Sequence, residues 1–305
     1  MVNLFTAAKP FGALLMKLVG ITQQKIEIEA GTIMNFWVPN EMANKPVVVL
    51  LHGFCADGLL TWIFQVRALS RKYAVVVPDL LFFGASITDR PDRSTNFQAE
   101  SLAKGLRMLG VEKCSVVGFS YGGMVAFKLA KLHPNMVESV VVTGTVMESD
   151  DETSDEAPES WKKKRFSRWS HFLLPETISA GRMLLSFGSH RFQWFPDFVV
   201  SDFLELWFNW QVMYNNRKEK AQLLDALNFG DDDLAPANYS QRIHLLWGAN
   251  DRILSLEFAW MLKKKLGDKA RLVWIEGAGH LVQMDRPYLY NRCLKKILAS
   301  VYSLS

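Results

Sequence analysis

Cysteine is scarce. The three thiols in 305 residues (Cys55, Cys114 and Cys293) are odd in number and far apart. That argues against a disulfide framework and fits reduced core thiols of a cytosolic protein. Long apolar runs are missing too, since none reaches the roughly 18 residues needed to cross a bilayer. The first twenty residues lack a basic start and carry Lys9, Pro10 and Lys17 within their apolar stretch, so no secretory signal is expected. An excess of one charge is also lacking. The formal net charge is +4, with no long basic stripe and no nucleic-acid motif, so no nucleic-acid partner is expected.

What is present is apolar content of 49%, enough for a sizeable core in one α/β domain carrying an insertion. The stretches 25–30 and 32–38 alternate on either side of Gly31 and predict a hairpin. Val47–Leu51, Tyr73–Pro78, Cys114–Val117, Val137–Thr143, Ile243–Trp247 and Arg271–Ile275 read as apolar strands. Helical patterns separate them at 60–71, 97–109, 124–130 and 256–266, and another closes the chain at 288–301. Apolar strands alternating with helices predict a mainly parallel sheet of about eight strands, covered on both faces.

The rhythm breaks over 147–237, which predicts a helical lid inserted between two parts of the core, 1–146 and 238–305. This stretch opens with acidic 148–156 and basic 162–165, and closes with 231–236. Between them lies a run of aromatics: Phe166, Trp169, Phe172, Phe187, Phe192, Trp194, Phe195, Phe198, Phe203, Trp207, Phe208, Trp210 and Tyr214. Most are expected to fill the lid's own core, and a few to face a substrate pocket. The segment 11–20 reads as a short helix packed on the body. That segment or the lid is where a peripheral contact with a lipid surface is expected, for a protein otherwise placed in the cytoplasm.

The chemistry starts at Gly118-Phe119-Ser120-Tyr121-Gly122-Gly123. A strand precedes it and a helix follows at once, which is the layout of a nucleophile elbow. Ser120 then sits on a tight turn with its hydroxyl above the sheet, and the glycines allow neighbouring backbone to pass close. A serine hydroxyl is a poor nucleophile near pH 7 unless an imidazole takes its proton and an acid orients that imidazole. Asp251 and His280 each lie just past a strand end, in Gly248-Ala249-Asn250-Asp251 and Gly277-Ala278-Gly279-His280.

The other histidines fit lesser roles. His52 is expected to brace loops and His133 to sit at a helix end; His171 and His190 fall in the lid, and His244 within a strand. For the acid, Asp225 and 231–233 precede the strand that should carry it. An oxyanion needs two N–H donors, and Tyr121 and Phe54 are the candidates. Asp285 lies five residues after His280, before Arg286-Pro287, where an N-capping carboxylate is expected.

Leu51-His52-Gly53-Phe54, Asp79 to Ser86, the elbow, Gly248 to Asp251 and Gly277 to His280 occur in the order found in the α/β-hydrolase superfamily, which this chain resembles over about residues 25–300. It looks most similar to lidded plant monoacylglycerol-lipase-like proteins and to bacterial meta-cleavage-product hydrolases. The resemblance implies an α/β-hydrolase fold, the triad Ser120, Asp251 and His280, no cofactor, no metal and no obligate protein partner. It implies hydrolysis of a small apolar ester or acyl substrate. C–C bond hydrolysis, acyl transfer and a hormone-receptor-like binding role are the alternatives for the same residues.

Epoxide hydrolases are similar but carry a carboxylate at the elbow. Two departures stand out. Leu81 and Phe82 replace a frequent proline and glycine, which predicts a bulkier pocket edge, and Arg252 to Ser255 replaces a frequent proline-containing turn after the acid.

Overall fold

A computed structural model describes residues 3–42, 44–147, 172–192, 194–208, 216–227 and 239–303. The stretches 148–156, 162–165 and 231–236, with Phe166, Trp169, His171, Trp210 and Tyr214, lie outside the described residues.

Helix α1 (Leu4–Leu18) leads into an antiparallel hairpin of β1 (Ile21–Glu29) and β2 (Thr32–Pro39), turning at Gly31 with φ +77°. Then come β3 (Val47–Leu51), α2 (Gly58–Leu69), β4 (Ala74–Pro78), the two-residue β5 (Ile87–Thr88), α3 (Thr95–Met108), β6 (Cys114–Phe119), α4 (Tyr121–Leu132) and β7 (Val137–Thr143). Between β7 and β8 (Arg242–Gly248) the described residues form helices α5 (Ile178–Gly188), α6 (Asp197–Phe208) and α7 (Asn216–Asp225), and no strand. After β8 follow α8 (Leu256–Leu266), β9 (Ala270–Ile275), the one-turn α9 (Val282–Asp285) and α10 (Pro287–Tyr302).

The strands form one sheet in the order β1-β2-β4-β3-β6-β7-β8-β9, with β5 beside β2. From β4 to β9 every pairing is parallel. Strand period 2 divides the core into two layers. Val49, Leu51, Val76, Val116, Val140 and Val142 face one side with α3 and α4, whereas Val48, Leu50, Val75, Val77, Val117 and Val141 face the other with α1, α2 and α10. Both faces are therefore covered, and loops at the carboxyl ends of the strands are left to form a site.

Asp79, just past β4, knots one of these loops. Its carboxylate accepts from Gly58 N at 3.0 Å, Asn35 Nδ2 at 2.9 Å and Ala85 N at 3.0 Å. Burial raises its pKa to about 6 against the pull of these donors. Phe82, standing where a glycine is frequent, adopts φ +71°, a conformation that costs a bulky residue about 1–2 kcal/mol. Its ring is buried and the Arg93 guanidinium lies 4.1 Å from its centre.

Candidate active site

Ser120 joins β6 directly to α4 with φ +52° and ψ −119°, a backbone shape that L-residues avoid unless the surroundings enforce it. The enforcement is close packing. A Cβ on Gly118 would lie 2.5 Å from Gly122 O, and one on Gly122 would lie 2.4 Å from His52 O and 2.5 Å from Leu51 O. The turn is closed by Ser120 N donating to Thr143 O at 2.9 Å and Thr145 Oγ1 donating to Ser120 O at 2.7 Å.

The imidazole and the acid meet as expected from their strand ends. His280 Nδ1 lies 2.8 Å from Asp251 Oδ2, and both side chains are buried. The other oxygen, Asp251 Oδ1, accepts from Ile253 N at 2.8 Å and Leu254 N at 2.9 Å, so the turn after the acid is held by the acid itself. With Nδ1–H given to Asp251, Nε2 is left as the basic nitrogen. The His280 ring packs on Phe119, centroids 5.0 Å apart, and on Gly144, where a Cβ would come within 2.7 Å of it.

Ser120 and His280 line the same cavity. No direct hydrogen bond joins their side chains here; contacts of this kind tighten once substrate is bound.

Asp285 departs from its expected role. Helix α10 begins at Pro287 with Arg286 as N-cap and no side-chain cap. The Asp285 carboxylate turns the other way, because three donors converge there: Gly279 N at 2.7 Å, His190 N at 2.8 Å and Ser189 Oγ at 2.5 Å. Leu281 N also donates to Gly188 O at 2.8 Å. The loop carrying His280 is thus tied to the end of α5.

Phe54 follows β3 by three residues, and its buried ring meets Phe83 and Tyr121 edge-on at 5.5 and 6.0 Å. Tyr121 opens α4, where backbone N–H groups point out of the helix end. His52 does brace loops. Its Nδ1 lies 2.8 Å from Gly53 O, and its Nε2 accepts from Leu80 N at 3.0 Å. Burial lowers its pKa to about 4, so it stays neutral. Desolvation raises the half-buried Cys55 to about 12, which favours the thiol over a thiolate at that position.

The cavity beside Ser120 has a volume of about 40 Å³. On the same measure a single water needs roughly 10–15 Å³. Phe54, Tyr121 and Met124 contribute from the core, Ile253 and Leu254 from the acid loop, and Leu173, Leu224 and Leu227 from the stretch between β7 and β8. Of the aromatics expected there, Phe172 and Phe203 are buried in the core, Phe192, Trp194 and Phe198 are exposed, and neither these nor Phe187 and Phe195 line the cavity. Nor do Leu81 and Phe82 form its edge, for both are buried in the core.

Sequence reasoning missed Gly144, Thr145 and Lys220. The first two directly follow β7 and carried the same strand-end signal that located Asp251 and His280. Lys220, on α7 one turn before Leu224, is buried with Nζ 5.1 Å from the centre of the Phe83 ring. Burial lowers its pKa to about 8. Nothing local in the sequence marks it.

A protein-family model described as alpha/beta hydrolase fold matches residues 46–287. Among curated proteins, epoxide hydrolase 1 of Caenorhabditis elegans is 25% identical over 294 residues, covering 84% of this chain and 65% of the relative, just under two thirds of its length. Among solved structures, a membrane phospholipase A, a bacterial virulence factor, superimposes with a TM-score of 0.78 at 21% identity, covering 98% of this chain and 92% of the other. The 2-hydroxy-6-oxo-6-phenylhexa-2,4-dienoate hydrolase of Rhodococcus sp. strain RHA1 gives a TM-score of 0.73 at 21% identity, with 93% and 99% covered. The likeness reaches the superfamily and does not single out a plant branch.

Proposed function

Because this chain belongs to the α/β-hydrolase family, we propose that it is a serine hydrolase cleaving a carboxylic ester of an apolar acyl substrate. The observation that carries this reading is one cavity holding both a strained Ser120 and the imidazole of a His280–Asp251 pair spaced at 2.8 Å. In the proposed reaction, His280 Nε2 takes the Ser120 proton as Oγ attacks the ester carbonyl. The oxyanion is held by the N–H groups of Phe54 and Tyr121, each worth about 3 kcal/mol of transition-state stabilisation. Asp251 stabilises the imidazolium that forms. Collapse of the tetrahedral intermediate expels the alcohol, which takes the proton from His280. Water, deprotonated by the same imidazole, then releases the acid from the acyl-enzyme.

Epoxide hydrolysis fits these residues less well, although epoxide hydrolases are among the relatives. Serine opening an epoxide would form an alkyl ether, which water cannot release as it releases an ester. The apolar lining of the cavity supports the apolar acyl group. We read 147–237 as a lid, supported by the three leucines it places over Ser120. We also read Ser120, Asp251 and His280 as acting without cofactor or metal.

The test is turnover of a p-nitrophenyl ester series together with fluorophosphonate labelling. Labelling of wild type and not of Ser120→Ala, with turnover lost in that variant at an unchanged melting temperature, is expected. A folded protein that neither turns over any ester nor takes the label would sink the reading. Products formed with an added acceptor alcohol separate hydrolysis from acyl transfer.

A further inference from the structure

Helix α1 has its greasy side outward. Gly12 and Met16 are its buried residues, with Gly12 against Leu59 of α2. The exposed arc carries Leu4, Phe11, Leu14 and Leu18, with Phe11 61% and Leu18 73% exposed. At 100° per residue these four fall within about one quarter of the helix circumference. No acidic residue occurs in the helix, and Lys17 flanks the arc. The other lysine, Lys9, is turned inward to Asp57 at 2.8 Å. Further exposed aromatics lie on and before the helix that α1 contacts. Helix α1 packs on α6 through Phe5 and Phe203 and through Asn3, which donates to the Asp202 carbonyl and to Glu205. One turn before Asp202, α6 exposes Phe198, and the adjoining segment exposes Phe192 and Trp194.

We propose that the outward ridge of α1 is a docking surface for a lipid bilayer, with Phe11, Leu14 and Leu18 entering the acyl boundary and Lys17 reaching anionic headgroups. Three observations favour a bilayer over a second copy of the chain. The ridge is a single convex row of four side chains, a few hundred Å² of apolar surface, against the ~800 Å² per partner that a stable dimer buries. The charge beside its inserting end is basic, as anionic lipid requires, while the acidic Asp202 and Glu205 stand at the far, amino end beside Leu4. Helix α6, which packs on α1, exposes Phe198, and the segment leading into it exposes Trp194, side chains of the kind that settle at a headgroup interface. No helix among the described residues is long and apolar enough to cross a membrane, so the helix would lie on the surface rather than span it. The position has a use. Lys9 and Asp57 join α1 to the loop three residues beyond Phe54, and Phe5 joins it to the insertion, so a docked α1 holds both halves of the site at the surface where apolar esters are found.

The measurement is flotation of the full chain with vesicles of phosphatidylcholine and phosphatidylserine at 7:3. It is made with Ser120→Ala, so that binding is scored whether or not the hydrolase reading holds. Wild-type surface residues should give clear flotation. A triple variant, Phe11→Ser with Leu14→Ser and Leu18→Ser, should bind about tenfold less or weaker, and Lys17→Glu should lose binding only to vesicles containing phosphatidylserine. Should the triple variant fold poorly, Phe11→Trp replaces it: blue-shifted emission quenched by brominated lipid is expected, and unshifted emission overturns the proposal. Equal flotation of wild type and triple variant overturns it as well. So does a vesicle-free dimer that the triple variant dissolves.

Discussion

The two halves of the cavity at Ser120 share close packing and differ in the charge that holds them. On the nucleophile side, Gly118 and Gly122 let backbone atoms approach to distances at which a Cβ would sit 2.4–2.5 Å from a carbonyl oxygen. On the imidazole side, where a Cβ on Gly248 would lie 2.1 Å from Gly279 O, carboxylates add attraction to the same close packing. Asp251 and Asp285 together accept five N–H or O–H donors besides the His280 contact, and between them they hold the two loops that meet at the ring. The first half should tolerate changes of polarity and no change of size. The second should in addition suffer from changes of charge that keep the shape.

The sharpest way to break this comparison is Asp251→Asn, which keeps shape and removes charge. If His280 is the base, kcat should fall by on the order of 10³–10⁴, because the amide favours the wrong imidazole tautomer. Fold stability should change far less. Ester hydrolysis across pH checks it, and a variant retaining a tenth of the activity near pH 7 would remove Asp251 from the proposed triad.

On the other half, Gly122→Ala adds one carbon and no polarity. Its Cβ meets two backbone carbonyls, His52 O and Leu51 O, that cannot rotate aside. A loss of about 3 kcal/mol is expected from overpacking. The urea midpoint reports it, and an unchanged midpoint would show that the elbow is looser than its contacts imply.

Much of this was legible because it is local. The elbow lies within ten residues, and its strand–serine–helix layout is complete in them, although Gly122 and Gly123 pack on Leu51, His52 and Thr145 from elsewhere in the chain. Asp251 and His280 were legible for a topological reason, since loops at the carboxyl ends of neighbouring parallel strands converge. Asp285 was misread because the capping rule looks forward along the chain, whereas its strongest partners are Gly279 behind it and Ser189 and His190, which stand 96 and 95 residues away. For the inserted stretch, composition says that a core is needed but not which side chains turn to the cavity; among its described residues, leucines do.

His52 should make the fold acid-sensitive in a particular window, opposed there by Asp79, whose carboxyl is raised to about 6. His52 is neutral in the fold down to about pH 4, because burial opposes its charge, while an unfolded imidazole takes a proton near 6.5. Between those values the unfolded chain binds more protons. The contribution is therefore fully present above 6.5 and is lost as pH falls toward 4, by about 3 kcal/mol at the ordinary cost per pH unit. Buried His244, lowered to about 4, acts in the same direction. Urea midpoints from pH 7 to 4 should fall less steeply in His52→Gln, and identical slopes would assign the acid sensitivity elsewhere.

The smallest expected effect is the most discriminating. In Asp285→Asn one oxygen remains to accept from Gly279 N and His190 N, and the new amide can donate to Ser189 Oγ, which already accepts from Phe192 N at 3.0 Å. Geometry survives and charge assistance is lost, so kcat should fall by about tenfold with KM little changed, the size seen when an outer partner of an active group is weakened. Asp285→Ala leaves both N–H groups without their acceptor and should cost more. If Asp285 serves only folding, both variants lower the melting temperature while the folded fraction keeps its kcat. If it positions His280, the acidic limb of the kcat profile shifts in Asn while the melting temperature holds, because the negative charge behind the imidazole's loop is gone while the fold is kept.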